Sequence, residues 1–281
     1  MRGAARSPLF DVPNSRLATL SGRLGWFSLA AALIAIVIVR TGLLEIVPAL
    51  ATFAAALVAA ALAVLTAFAA FVVIWRKGLG GLGRAVTGLF LGLALLAYPG
   101  YLGYRASKLP ILADITTDPA NPPRFEVLAR LRPRGSNQYA GATAAALQQK
   151  AYPDIEALEF QLPAQTVFRV ALTAVTARGW HIVDALPPSA RRRTGTIEAV
   201  ARTLVMGFRD DVVVRVTAVG RGARLDMRSA SRYGFHDFGA NAKRVAALLT
   251  DIDEAMSTVV AEPPRPEPKK PEPRSRKRRR R

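Results

Sequence analysis

Cysteine is absent from this chain, so it holds no disulfide, no thiol nucleophile and no cysteine-based zinc site, an absence compatible with an oxidising compartment. Histidine occurs only at His181 and His236, and neither a G-x-S-x-G elbow nor an H-E-x-x-H motif is present. The familiar serine-hydrolase and metalloprotease signatures are thereby excluded. Charge is scarce between Leu24 and Tyr104, where only Arg40, Glu45, Arg76, Lys77 and Arg84 interrupt the apolar sequence, and that excludes a plain soluble protein.

What fills this region is membrane-like. Leu50 to Trp75 is twenty-six residues without a charge, ample to cross a hydrocarbon core of about 30 Å as a helix. Ala85 to Tyr104 gives twenty more, with Pro99 near its end. Leu24 to Val39 is only sixteen and needs Arg40 to snorkel or the bilayer to thin. A cleaved signal peptide is the competing reading of this first segment, against which stand a polar leader of more than twenty residues and the lack of a small-x-small cleavage site. Orientation follows from the basic residues. Arg2, Arg6, Arg16 and Arg23 in the leader and Arg76, Lys77 and Arg84 between spans two and three face a single Arg40 between spans one and two. Basic loops resist translocation, so the amino terminus is expected in the cytoplasm and everything after Tyr104 on the outer side of the inner membrane, as for a periplasmic domain. Two glycine patterns belong here. Gly78 to Gly83 satisfies G-x-G-x-x-G but joins two spans, so it reads as a turn rather than a pyrophosphate cradle. Gly88 and Gly92, with Ala55, Ala59 and Ala63, read as close packing among the chain's own helices.

Five regions follow: a cytoplasmic leader (1–23), a three-span anchor (24–104), an extended Pro-rich linker (105–139), a mixed domain (140–261) and a Pro/Arg tail (262–281). Within the domain a helix is expected around Ala140 to Lys150 and a strand over Ile155 to Leu162. A helix over Pro163 to Arg178 closed by Gly179 comes next, then a strand over Trp180 to Ala185. Gly195 to Thr203, Val212 to Val219 and Ala223 to Ser231 form a meander, and Val245, Leu248, Leu249, Ile252, Met256 and Val259 give the last helix one apolar stripe behind an Asp237 cap. The fold class is α+β: three N-terminal transmembrane helices, then an antiparallel sheet with helices packed on one face.

Several stretches together resemble one family. They are Leu109 to Asp118, Ala151-Tyr152-Pro153-Asp154, Gly207 to Val216, and Arg228-Ser229-Ala230-Ser231-Arg232 followed by Asp237 to Arg244. The resemblance is to the domain of unknown function family 1499, and Arg40-Thr41-Gly42 is similar to its membrane-bound members. It covers the chain from about residue 26 to 256 and implies no activity, because the family has none assigned.

Candidate chemistry is sparse. Asp210, Asp211, His236 and Asp237, with Asn241 nearby, are the one constellation a hydrolytic or metal site could use. The competing reading makes Asp237 a helix cap, the Asp pair a turn before a strand, and His181 structural. Alternation puts Arg224, Asp226 and Arg228 on one sheet face with Arg215, Glu198 and Arg202. That pattern usually marks a solvated face of cross-strand charge pairs, and its other reading is an anion-binding surface of Arg215, Arg228 and Arg232. No cofactor and no metal is expected. The tail carries ten basic and three acidic residues with six prolines; it is expected to be disordered and to engage anionic partners. The preferred reading is a membrane-anchored, non-catalytic binding or assembly module of the cell envelope, partnered by membrane lipid and by anionic envelope polymer or lipid headgroups, with nucleic acid not expected. Two alternatives stay open: an envelope hydrolase using the Asp/His group, and a cytoplasmic binder of nucleic acid or another anionic polymer through the tail.

Overall fold

Ser15 opens the first helix, α1 (Arg16–Thr41), its Oγ accepting from the Ala18 amide at 3.5 Å. The computed structural model describes residues 12–42 and 46–261. The expected tail (262–281) and the first eleven residues of the leader lie outside the described residues. The rest of that leader is largely helix: α1 begins eight residues before Leu24, because Ser15 caps it and is itself tied to the next turn, its amide donating to the Gly80 carbonyl at 2.9 Å. At 26 residues α1 is about 39 Å long and needs no thinned bilayer. α2 (Ile46–Lys77) and α3 (Leu82–Ala106) follow, and all three helices are long and apolar enough to cross a membrane.

They pack through small side chains. Ser21, Gly22, Gly25 and Ser28 of α1 are buried, as are Ala56, Ala60, Ala63 and Ala67 of α2. Without a hydrophobic drive between helices in lipid, such strips let backbones approach and disperse closely. A Cβ on Gly88 would collide with Ser21, and one on Gly92 would lie 2.8 Å from the Ala60 carbonyl. The G-x-x-x-G pattern is therefore used inside the chain. Gly80 and Gly81 hold the turn from α2 to α3 against Asn14 and Ala18, so the G-x-G-x-x-G sequence serves the helix bundle.

The domain's sheet runs in the order β1-β6-β5-β4-β3, with β2 also paired to β6. Its strands are β1 (Asp114–Thr116), β2 (Leu158–Phe160), β3 (His181–Leu186), β4 (Thr194–Arg202), β5 (Arg209–Val219) and β6 (Gly222–Ser231), and every pairing is antiparallel. Two long helices, α6 (Ala164–Ala177) and α7 (Ala240–Ala261), cover one face. Period-2 alternation sends Ile197, Ala199, Val212, Val214, Val216, Leu225 and Met227 toward them. There they meet Val167, Phe168 and Val175 of α6 and Val245, Leu248 and Ile252 of α7. Each fully buried Val, Leu or Ile contributes about 1.5–3 kcal/mol.

The stretch expected as an extended linker is part of this domain. It supplies β1, whose residues pair with Arg228 to Ala230, and a short helix, α4 (Val127–Leu131). Residues 117–139 form a strap across the second face of the sheet. A further helix, α5 (Ala142–Ala151), lies at the free edge of β1. Its buried Gln148 accepts from the Thr116 amide at 3.0 Å and donates to the Thr116 carbonyl at 2.6 Å, satisfying the edge as another strand would.

Candidate functional site

The second sheet face is charged, as alternation required; Arg202 and Arg224 at its margins reach solvent, but its centre is not solvated. Asp226 and Glu198 are each 1% exposed, and Asp211 is completely buried. The strap supplies what the strands lack. Glu198, on β4, points under the start of α4 and accepts from the amides of Glu126 at 2.7 Å, Val127 at 3.2 Å and Leu128 at 2.7 Å. These are amides that a helix start leaves without partners, and the carboxylate also suits the positive end of the α4 dipole. No lone cation is needed to hold the charge.

Arginines satisfy the other carboxylates. Asp211 receives Arg132 Nε at 2.6 Å and Arg232 through Nε at 3.0 Å and Nη2 at 2.7 Å. Arg228 grips Asp114 with two nitrogens at 2.9 and 2.7 Å, donates to the Pro123 carbonyl, and is sandwiched between Phe125 and Tyr139 at 4.7 and 5.2 Å. Burial, reinforced by the negative charge of Asp114, pushes the Tyr139 hydroxyl pKa up. Arg215 bonds Asp226 at 2.9 Å and Asp118 at 3.1 Å. The three arginines expected as an anion surface, Arg215, Arg228 and Arg232, thus lie on one face but are engaged from within by carboxylates of the sheet and strap. Among the described residues, the single buried side-chain nitrogen without a hydrogen-bond partner is Arg132 Nη2, and the Arg132 guanidinium stacks on Phe125 at 4.6 Å.

The alternative Asp/His group is divided. Asp210 and Asp211 sit inside β5, not in a turn before it, so alternation sends them to opposite faces. Asp210 pairs with Arg244 of α7 at 2.6 Å, whereas Asp211 lies beneath the strap. Asp237 accepts from the Gly239 amide at 2.8 Å and the Asn241 amide at 2.7 Å. It caps α7 from three residues before its first helical residue, and the residue next to the helix is Gly239, whose φ is +76°. Burial pushes the Asp237 pKa up, against the two amides that favour its charge. A raised folded value means that this group favours folding below the ordinary carboxylate range and that its contribution is lost as pH rises through the folded pKa. His236 Nδ1 accepts from the Phe238 amide at 2.8 Å and Nε2 faces the Ala106 carbonyl at 3.4 Å, a pairing met by the neutral ring with its proton on Nε2. Asn241, wholly buried, accepts from Ser229 and donates to Ser231 and to the Ala113 carbonyl. His181 lies exposed on β3. Among the described residues no group of three His, Asp or Glu side chains is arranged to hold a metal ion.

Two of the open clefts adjoin the charged face and its strap. One, of about 1070 Å³, runs between α5, β2 and the strap, past Tyr139, Tyr152 and Arg224. The other, of about 830 Å³, lies where the domain meets the ends of α1 and α2, and Arg134, Arg209 and Arg232 line it. Sequence reasoning missed Arg134 and Arg209, and it missed the strap residues Asp114, Phe125 and Arg132. The available signal was Glu198, a lone acid in the apolar run Ile197 to Ala201, which demanded a partner from elsewhere.

Residues 114–252 match the family model described as protein of unknown function (DUF1499). Comparison with curated proteins gives no match. Among solved structures the chain is similar to CalU16 from Micromonospora echinospora, at 16% identity over 37% of this chain and 78% of that one, with a TM-score of 0.22. It is also similar to TTHA0849 from Thermus thermophilus, at 12% identity over 37% of this chain and 95% of that one, with a TM-score of 0.20. Likenesses of this strength carry no conclusion about function. The family match begins on the first residue of β1 and ends inside α7, and so spans the sheet, the strap and the buried charge network: the globular domain of this chain belongs to the DUF1499 family.

Proposed function

We propose that this protein is a membrane-anchored, non-catalytic binding or assembly module of the cell envelope, with its DUF1499 domain on the outer side of the inner membrane. The observation that carries the reading is the internal engagement of the ionisable groups. Asp210, Asp211, Asp226 and Glu198 each bond an arginine or backbone amides inside the fold, and Asp237 and His236 bond the turn that starts α7. A hydrolase needs an acid, a base or a nucleophile free to act on a shared space; Asp211 lies on the opposite sheet face, and Asp210 and Asp237, near enough for the charge of one to act on the other, are held by Arg244 and by the amides of the turn that starts α7. The orientation is supported by the basic residues at the far end of the bundle, Arg76, Lys77 and Arg84, whereas the domain meets the bundle at Arg40. Three crossings place the α3 end and the junction of α1 and α2 on one side, which accommodates that contact. The tail reading with nucleic acid requires the opposite orientation.

The test uses the His236→Ala and Asp237→Asn proteins in the native host. Asn keeps one of the two capping acceptors, so it should cost less than Asp237→Ala, for which about 0.5–2 kcal/mol is expected. Both variants should complement a deletion as fully as the wild-type protein. A folded Asp237→Asn or His236→Ala protein that fails to complement overturns the non-catalytic reading, since the amide keeps the cap but cannot transfer a proton.

A further inference from the structure

The cleft between the bundle and the domain sets an apolar side against a cationic one. Val39 at the end of α1 and Ile46 and Val47 at the start of α2 form its apolar side, continuous with the surfaces that would face lipid tails. Arg134 of the strap and Arg209 at the start of β5 form its cationic side, and Arg232, which also lines it, is buried and already paired with Asp211. The domain's buried and nearly buried arginines are met by carboxylates: Arg132 and Arg232 by Asp211, Arg215 by Asp226, Arg228 by Asp114, and Arg244 by Asp210. Arg134 and Arg209 have no carboxylate of the described residues within ion-pair distance, and both are exposed.

The cleft is also held in place. Arg40 donates from the end of α1 to the carbonyls of Leu204 at 2.6 Å and Val205 at 3.1 Å, and Arg202 returns a bond to the Arg40 carbonyl at 3.2 Å. These contacts fix the β4–β5 loop against the helix end. Leu204, 89% exposed, is an apolar side chain of that loop beside the end of α1. Gly42 caps α1 in the left-handed conformation, and the Arg209 guanidinium lies 3.8 Å from where a Cβ at position 42 would be. Guanidinium groups over the end of a lipid-facing surface match a phosphate that carries its own acyl chains.

We infer that this cleft binds the headgroup of an anionic phospholipid, with Arg134 and Arg209 on the phosphate and the acyl chains along Val39, Ile46 and Val47. The inference rests on the proposed membrane anchoring. A soluble phosphate would have no use for the apolar side, so the site is assigned to lipid of the surrounding bilayer.

Native mass spectrometry of the full-length protein, taken from nanodiscs into detergent, reads this directly. Dioleoylphosphatidylglycerol and dioleoylphosphatidylcholine serve as the anionic and neutral probes. One phosphatidylglycerol should remain bound in preference to phosphatidylcholine. The Arg134→Gln, Arg209→Gln protein should bind it about 30-fold more weakly, from roughly fivefold for each basic residue near a membrane surface. Both side chains are exposed and without carboxylate partners among the described residues, so the double variant should fold; an unchanged Trp180 fluorescence spectrum in a Trp26→Phe, Trp75→Phe background reports that it has. Equal retention of the two lipids by the wild-type protein, or unchanged phosphatidylglycerol affinity in the double variant, overturns the site. Loss of phosphatidylglycerol that glycerol phosphate reproduces by competition also overturns it, because the site would then recognise a soluble anion. Failure of the wild-type protein to enter discs of either lipid is a different result, which overturns the anchoring and the site with it.

Discussion

Asp211→Ala is expected to destabilise the domain by about 3–5 kcal/mol, the range found when one partner of a buried ion pair is removed. The physical reason is the company it leaves behind. Asp211 is fully buried and is the shared acceptor for Arg132 and Arg232, whose side chains are 9% and 6% exposed. Without it, two nearly buried guanidinium groups face each other with no counter-charge, and one nitrogen of Arg132 already lacks a partner. Replacing all three together, as Asp211→Leu, Arg132→Met, Arg232→Met, should recover most of the loss, because apolar groups of similar volume carry no desolvation cost. Guanidinium unfolding of the full-length protein in detergent, followed by Trp180 in a Trp26→Phe, Trp75→Phe background, gives both numbers. Trp180 packs against the domain core, so its signal follows the domain and not the bundle. A loss below about 1 kcal/mol for Asp211→Ala would mean that water reaches the triad and the pairs behave as surface ones.

The second large effect concerns Glu198. Glu198→Gln is expected to cost about 1.5–3 kcal/mol, the range for a hydrogen bond to a charged group. The change is nearly isosteric, so packing does not enter. Three amides now converge on the carboxylate, and the variant turns an NH₂ group toward at least one of them, setting donor against donor. Glu159→Gln is the control. Glu159 is exposed on the neighbouring part of the sheet and 3.9 Å from Arg224, and its loss should stay within about 0.5 kcal/mol. Equal effects at the two positions would show that Glu198 is not the anchor of the strap.

Much of this fold is legible in the sequence because its long elements obey one period each. The stripe from Val245 to Met256 and the alternation in β4, β5 and β6 each need only local residues to be recognised. The charged face was legible in the same way, and the ladder register confirms that Arg215 stands opposite Asp226. What alternation does not encode is the cover on that face. β1 is three residues long and α4 five, and α4 is held by a carboxylate seventy residues further on. Neither has the length or the propensity to stand alone. Proline and polar residues made the strap resemble a linker, when the prolines serve an extended path over the sheet. Solvation was the natural inference for Arg215 and Arg228 until Asp114, Asp118 and Phe125 were seen to lie upon them. For Asp237 the sequence indicated the role but not the geometry, since Gly239 lies between it and the helix.

The claim on which the whole account depends is that the charged face of the sheet is a closed structural interior and not a site. Hydrogen exchange of the amides of Glu126, Val127 and Leu128, measured by NMR or mass spectrometry on the full-length wild-type protein, tests it without any substitution. If Glu198 and the arginine pairs seal the strap, these amides exchange as slowly as those of Val212 to Val216 in β5, through opening of the whole domain. Exchange at the rate of exposed loop amides, with β5 still protected, would mean that the strap lifts from the folded sheet and exposes Glu198, Asp211 and Asp226, and would contradict the account.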